Sequence, residues 1–188
     1  MSIELFSIWN FIRLSGFLAF FLFTFSISAG LLSRFAIFQK KKLLMLELHQ
    51  TSGWAGFLTS IFHVILLWKN EYVPYKIQEI LIPFLAENAT VFSALGTISL
   101  YLFVITFATS DFFIKKLGRD LWKKVHLIVI PAWILMVLHS ILIGTDSEQP
   151  WASFLYGASI ILVITLIQFR YLEGRRNPLN KKGPRTNT

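Results

Sequence analysis

The sequence predicts an all-α integral membrane protein, a bundle of about five transmembrane helices. Apolar and aromatic residues make up 55% of the 188 residues and only 15% are charged, a balance outside that of soluble domains. The mean hydropathy is +0.61. Several apolar stretches follow one another, and each is close to the roughly 20 residues that a helix needs to cross the hydrocarbon core of a bilayer.

Charged residues, prolines and polar clusters divide the apolar sequence into segments. A helical bundle is expected over residues 1–169, followed by a flexible basic tail over 170–188 that cannot bury enough apolar surface to fold alone. The first apolar segment lacks a basic n-region and is too long for a signal peptide, so we expect a retained span. Segment 110–120 is predicted to be a short turn, and 69–89 a longer loop whose Ile77–Leu85 stretch could lie along the interface as a short helix. The five predicted spans are about 8–31, 43–68, 90–109, 121–143 and 151–169.

Lysine and arginine are unevenly distributed between the connections. Fifteen of the 18 fall on one side of the predicted bundle, in segments 31–42 and 110–124 and in the tail, whereas the other side has Arg13, Lys69 and Lys76. Because cytoplasmic loops carry an excess of lysine and arginine, the N-terminus is predicted outside and the C-terminus in the cytoplasm. Topology and anionic lipid then explain the net charge of +8, with no role for nucleic acid.

All four histidines lie inside two of the predicted spans. His49 and His63 are 14 residues apart on the second span, and His126 and His139 are 13 apart on the fourth. At ~1.5 Å per residue, each separation is roughly 20 Å. Both spans run outward from the cytoplasm, so His49 and His126 are expected at an inner level, and the other two at an outer level. Ionisable side chains in hydrocarbon are costly and are therefore candidates for function.

Paired histidines on facing helices are what a b-type heme needs, because each imidazole supplies one axial ligand to the iron. The sequence therefore predicts two b-type hemes, the inner one held by His49 and His126 and the outer one by His63 and His139. The chain contains no cysteine, so redox chemistry would need a bound cofactor and not thiols or cysteine-held clusters. Packing histidines, a proton path or zinc are the alternatives, although zinc needs about four ligands near one point.

The spacing on the fourth span does not fit an ideal helix. At ~100° per residue, the 13 residues between His126 and His139 leave the two side chains about 140° apart. The 14 residues on the second span leave only about 40°. Pro131 lies between the two histidines of the fourth span, and a proline permits a kink or local rewinding.

Small and aromatic residues also lie near the predicted ligands. Gly53 and Gly56 follow His49 by one and two turns and remove side-chain bulk on that helix, although ordinary helix packing explains them equally well. Trp122 precedes His126 by one turn and could pack on the inner heme. Its alternative role is that of an interfacial anchor.

These residues resemble the ferric reductase-like transmembrane domain, the heme core shared by ferric reductases, NADPH oxidases and the membrane heme subunit of the periplasmic methionine sulfoxide reductase system. The resemblance rests on residues 49–56 (HQTSGWAG) through His63, on 109–112 (TSDF) with 119–126 (RDLWKKVH), and on His139. It implies a bundle with two b hemes. These would take electrons from a cytoplasmic flavin or flavoprotein and deliver them to an extracytoplasmic acceptor, either ferric iron or a partner reductase.

Three features of the sequence refine what the resemblance implies. Family members that oxidise nicotinamide carry a cytoplasmic FAD and nicotinamide domain, but fewer than twenty residues follow the last predicted span and no glycine-rich dinucleotide fingerprint occurs. We therefore expect an electron-transfer subunit that is supplied by a separate flavin donor. Leu67 stands where the oxidases have a further histidine, which favours an acceptor other than oxygen. Arg13 matches an arginine that the oxidases place beside the outer heme, so it is a candidate propionate contact, with snorkelling to headgroups as the alternative.

Two other functions are compatible with the sequence. The chain could be the heme subunit of a quinol-linked oxidoreductase that exchanges electrons with quinone in the lipid phase. A non-redox histidine-lined transporter is the third class, and it predicts no Soret absorbance. In each case the protein belongs in the cell membrane as a multi-pass protein. The basic inner face suits docking of an acidic flavoprotein.

Overall fold

The computed structural model of the protein describes residues 7–70 and 74–176. Within these residues all regular secondary structure is helical, which confirms the predicted all-α class. Five helical stretches are long and apolar enough to cross a membrane, so the prediction of a multi-pass integral membrane protein is also confirmed. The five stretches are Ile8–Leu32, Ala36–Lys69, Thr90–Phe112, Arg119–Ile143 and Pro150–Arg175.

The first helix, α1 (Ile8–Leu32), is the central helix of the bundle. Half of its most apolar 18-residue window is buried, whereas the corresponding fraction is 17–22% in the other four spans. It packs against α2 (Lys42–Lys69), α7 (Val129–Ile143) and α8 (Pro150–Arg176). Since the outer helices are apolar on their exposed faces as well, those faces suit contact with lipid.

A buried aromatic cluster joins α1 to α4 (Thr90–Phe107) and α7. The rings of Phe23 and Phe103 stack with centroids 3.9 Å apart and planes within 4°. Trp133 donates its indole N–H to the hydroxyl of Thr24 at 2.9 Å, which satisfies a polar group that would otherwise be costly to bury. α4 also packs directly on α7.

The helix predicted over Ile77–Leu85 is shorter in the structure, where α3 spans Ile77–Leu81. Ile82 is extended, with φ −104° and ψ 113°, and it precedes Pro83. A residue before proline is disfavoured in the helical region because it clashes with the proline ring. The proline therefore ends the helix four residues earlier than predicted.

Glu79 links the two ends of the connection around α3 by hydrogen bonds. Its carboxylate accepts the backbone N–H of Lys76 at 2.7 Å and that of Glu87 at 3.1 Å. These two hydrogen bonds, that from Lys76 first, lower the pKa of Glu79. Thr97 adds a further link, because its hydroxyl donates to the carbonyl of Ile80 at 2.9 Å.

Segment 110–120 is more helical than the short turn that was predicted. A wide π-helical turn covers Ala108–Phe112, and the short helix α5 covers Ile114–Leu117. Gly118 then reverses the chain with φ +72° and ψ 159°, a conformation that is available essentially to glycine alone. The next helix, α6, spans Arg119–His126.

The fourth span is interrupted beside Pro131. α6 ends at His126 and α7 begins at Val129. The backbone N–H of Ile130 donates to the carbonyl of Leu127 at 3.1 Å, an i to i−3 bond that tightens the turn. Each tightened residue rotates about 120° instead of 100°, so the rewinding acts in the direction that brings the two histidines of this span toward one face.

Helix α8 continues through Arg176, seven residues beyond the predicted end of the fifth span. The structure thus places residues 170–176 in a helix where the flexible tail was expected to begin. The carboxylate of Glu173 accepts the backbone N–H of Ala36 at 2.9 Å, which fixes this end of α8 to the connection before α2. Residues 177–188, the rest of the expected tail, lie outside the described residues.

Candidate functional site

The structure brings the imidazole rings of His49 on α2 and His126 on α6 close together. Their ring centroids are 5.8 Å apart and their planes are inclined at 77°. Two metal–imidazole bonds of about 2 Å on opposite sides of one metal would place the ring centres roughly 6 Å apart. The separation of this pair therefore fits two axial ligands of a single metal.

His63 of α2 and His139 of α7 line one cavity of about 560 Å³. A volume between about 300 and 1,000 Å³ is usual for a cofactor site. The walls are mainly apolar, and polar groups at the cavity include Arg13, Tyr75 and Asp146. The second histidine pair thus faces a space large enough for a flat organic cofactor.

Three of the four imidazoles are held through Nδ1 by a backbone carbonyl oxygen. A carbonyl can only accept, so Nδ1 carries the hydrogen and Nε2 is left with a lone pair for a metal. Metal-binding histidines usually have such a partner, which fixes the ring orientation. The distances from Nδ1 are 2.9 Å for His49 to Ser26, 3.0 Å for His63 to Ile12, and 2.8 Å for His139 to Phe92.

The partner of His126 Nδ1 is the hydroxyl of Ser110, whereas His49 and His63 have a serine hydroxyl, Ser26 Oγ at 3.0 Å and Ser15 Oγ at 3.2 Å, in addition to their carbonyl oxygens. The Nδ1 of His126 lies 3.1 Å from Ser110 Oγ, and Trp122 donates its indole N–H to the same oxygen at 3.2 Å. The rings of Trp122 and His126 are also in contact, with centroids 5.3 Å apart. Trp122, which the sequence suggested as a packing residue of the inner heme, thus contacts the predicted ligand itself.

Three glycines that the sequence interpretation missed lie against the histidine rings. Each lacks a Cβ at a point where one would press on an imidazole, so each glycine allows the backbone to approach the ring closely. An added Cβ would lie 3.3 Å from His63 Cε1 at Gly16, 3.0 Å from His49 Nδ1 at Gly30, and 2.7 Å from His139 Nδ1 at Gly96.

Gly53 and Gly56 pack against α1. A Cβ at Gly53 would be 3.1 Å from Ser26 Oγ, and one at Gly56 would be 3.2 Å from Leu22 Cβ. Helix packing, one of their two sequence interpretations, therefore describes both contacts. The glycines that face the imidazoles belong to the neighbouring helices.

The residues around the histidines repeat every 14 positions. Gly16 and Gly30 on α1 have the same spacing as the two histidines of α2, and Gly96 and Ser110 on the third span, Thr90–Phe112, have it again. Fourteen residues span about 21 Å of helix, so each helix places one small residue at each histidine level. This repeated spacing is a sequence signal that could have identified the glycines.

An aromatic layer separates the two histidine levels. Phe57 stacks on Phe107 at 4.9 Å, and Trp54 contacts the same ring at 5.1 Å. Together with the stacked pair of Phe23 and Phe103, these side chains occupy chain positions between the two levels on three helices. They form a layer of aromatic side chains between the two levels.

Arg13 forms an ion pair with Asp146 at the cavity beside His63 and His139. Arg13 Nε and Asp146 Oδ2 are 2.6 Å apart, and the second nitrogen–oxygen contact is 2.5 Å. This two-point arrangement is the geometry that guanidinium favours with a carboxylate. Sequence reasoning missed Asp146, because it lies in the connection between α7 and α8. The predicted propionate contact of Arg13 stays a prediction.

No three histidine, aspartate or glutamate side chains converge on a metal position within residues 7–70 and 74–176. A zinc site commonly needs about four protein ligands. A macrocycle that supplies its own equatorial ligands needs only two axial ones, which matches the paired arrangement of the histidines.

Five apolar spans define a multi-pass helical membrane protein, whose four histidines lie on the second and fourth spans. The family model for the ferric reductase like transmembrane component matches residues 15–137, and the chain belongs to this family, as the resemblance predicted. Membership indicates transmembrane electron transfer, and such domains generally bind heme. The match includes His49, His63 and His126, and it ends just before His139. No curated protein and no solved structure matches the chain.

Proposed function

We propose that this chain is a transmembrane electron-transfer subunit that binds two b-type hemes. His49 and His126 hold the inner heme, and His63 and His139 hold the outer one. The observation that carries the proposal is the inward pairing of the four imidazoles, three of which have Nδ1 held by a carbonyl oxygen. In that tautomer the lone pair of Nε2 is available to bind iron.

A heme bound at each level would supply an iron that accepts and releases one electron. The chain's own residues bind and orient this group and keep water from it. Gly16, Gly30 and Gly96 give the imidazoles the space that they occupy, and the aromatic layer closes the interior between the levels. In this proposal no residue serves as an acid or a base.

The donor we propose is a cytoplasmic flavin or an acidic flavoprotein, and the acceptor is extracytoplasmic, either ferric iron or a partner reductase. The proposal is supported by a basic surface at the end of the bundle that contains His49 and His126. Opposite charge favours encounter with an acidic partner. The exposed lysines of this surface are Lys40, Lys41, Lys42, Lys115, Lys116, Lys123 and Lys124.

Purified protein expressed with ample heme is expected to contain two hemes per polypeptide. The two histidine pairs are separate, so each should be filled independently. A pyridine hemochrome assay together with a protein determination measures the ratio. A ratio near one or near zero would contradict the proposal, and the absence of a Soret band would favour the transporter alternative.

The proposed orientation can be tested with single cysteines, because the chain has none of its own. Asn88→Cys should react with an impermeant thiol reagent in intact cells, whereas Lys116→Cys should react only after the membrane is opened. Both positions are exposed, Asn88 just before α4 and Lys116 in α5, beyond the other end of the third span. Labelling of both from the same side would contradict five spans with an outside N-terminus.

A further inference from the structure

Ser110 distinguishes His126 from the other three histidines. The Nδ1 atoms of the other three meet backbone carbonyl oxygens, and those of His49 and His63 also lie near the hydroxyls of Ser26 and Ser15, which donate to backbone carbonyls. His126 Nδ1 meets the Ser110 hydroxyl at 3.1 Å. This oxygen also receives the indole N–H of Trp122 at 3.2 Å. A hydroxyl oxygen has two acceptor lone pairs, so it can hold both donors at once.

The position of Ser110 is set by the π-helical turn Ala108–Phe112. The N–H of Phe113 donates to the carbonyl of Ala108 at 3.2 Å and closes the wide turn, while Trp122 lies on helix α6, as His126 does. Single π-helical turns inside helices occur frequently at functional sites. Ser110 and Trp122 therefore hold the His126 ring from two separate segments of the chain.

We propose that Ser110 and Trp122 are positioning residues that set the electron-donor strength of His126 toward the inner heme. The inference rests on the proposed function, since it assumes that His126 binds iron through Nε2. An acceptor at Nδ1–H gives the imidazole more negative character, and this makes it a stronger ligand. A stronger axial donor stabilises ferric iron and lowers the potential, since hydrogen bonding around the axial ligand is one of the means by which a protein tunes heme.

The two residues act in opposite directions. Ser110 accepts the His126 hydrogen and lowers the inner potential, while the N–H of Trp122 draws electron density from the same oxygen and weakens it as an acceptor. Ser110→Ala should therefore shift the inner heme to a higher potential. Trp122→Phe keeps an aromatic ring beside His126 but has no N–H to donate to Ser110, so it should shift the inner heme to a lower potential.

The test is a spectroscopic redox titration of the full-length, heme-loaded protein and of Ser110→Ala, Ser110→Thr and Trp122→Phe. The inner component is assigned as the one missing from His49→Ala. We expect opposite shifts of this component in Ser110→Ala and Trp122→Phe, with the wild-type value largely restored in Ser110→Thr. Loss of the inner heme from Ser110→Ala but not from Ser110→Thr would also support the positioning role.

Trp133→Phe is the matched control, because it removes an indole N–H that donates to a different hydroxyl, that of Thr24. It should leave the inner component unshifted relative to the outer one. Shifts of the same sign in Ser110→Ala and Trp122→Phe, or no shift in either, would overturn this inference while two bound hemes upheld the proposed function. Wild-type protein that binds no heme would instead defeat the proposed function itself.

Discussion

His63→Ala and His139→Ala are expected to lose one and the same heme, and His49→Ala and His126→Ala are expected to lose the other. Each substitution leaves one iron without an axial ligand, so heme loss should exceed any small change in potential. Heme content and reduced-minus-oxidised spectra of the purified variants measure the result. Each variant should keep about half of the heme of the wild type, because the aromatic layer separates the two levels.

The side from which each heme is reached gives a second readout of the same variants. Without the outer ligands, a cytoplasmic flavin donor should still reduce the remaining heme, but delivery to an acceptor outside should stop. Ser28→Ala is a suitable control, since Ser28 is buried on α1 and its hydroxyl bonds only within its own helix, to the carbonyl of Thr24 at 2.8 Å. If His49→Ala and His63→Ala removed the same spectral component while His126→Ala removed another, no heme would bridge two helices.

The five spans and the two levels of the histidines could be predicted from the sequence because each prediction depends on a single physical rule. Apolar length determines which segments can cross a bilayer, and an ionisable residue within such a segment needs a reason to be there. The levels of the four rings follow from helical rise alone. None of these arguments requires knowledge of which helices are neighbours.

The partners of the histidines could not be predicted in the same way, because they depend on which helices pack together. Gly16 and Gly30 face the histidines of α2 only because α1 is the central helix and packs along α2. Gly53, beside His49 in sequence, was the more obvious candidate, but it faces α1. Closeness to His49 in the sequence therefore indicates the glycines that contact the imidazoles less well than the 14-residue spacing on the neighbouring helices does.

Irregular backbone explains the remaining differences. The π-helical turn that carries Ser110 has no strong sequence signal, so segment 110–120 was expected to be a simple turn. Pro131 did predict a local change in the fourth span, but the tightened turn lies just before it, at Leu127. A proline removes one hydrogen bond at a known position, whereas the way in which the preceding turn adjusts depends on the packing around it.

Gly96→Ala is expected to weaken binding of the outer heme while leaving the inner heme in place. The added Cβ would lie 2.7 Å from both Nδ1 and Cε1 of His139, which is too close, so the ring must move. That movement would also disturb the 2.8 Å contact of Nδ1 with the carbonyl of Phe92. Loss of such a supporting contact lowers metal affinity by roughly 10–100-fold, and heme retention in competition with apomyoglobin measures it.

Gly157→Ala is the matched control, a glycine inside helix α8 where an added Cβ meets nothing within 4 Å. Alanine is a better helix former than glycine by about 1 kcal/mol, so neither substitution should harm helix formation as such. Thermal unfolding in detergent, followed by circular dichroism, checks this for both variants. Since the backbone effect is the same at both positions, a selective loss of outer heme in Gly96→Ala must come from the contact with His139. If Gly96→Ala kept both hemes with wild-type affinity and spectra, the close approach of α4 to His139 would not be what orients this ligand.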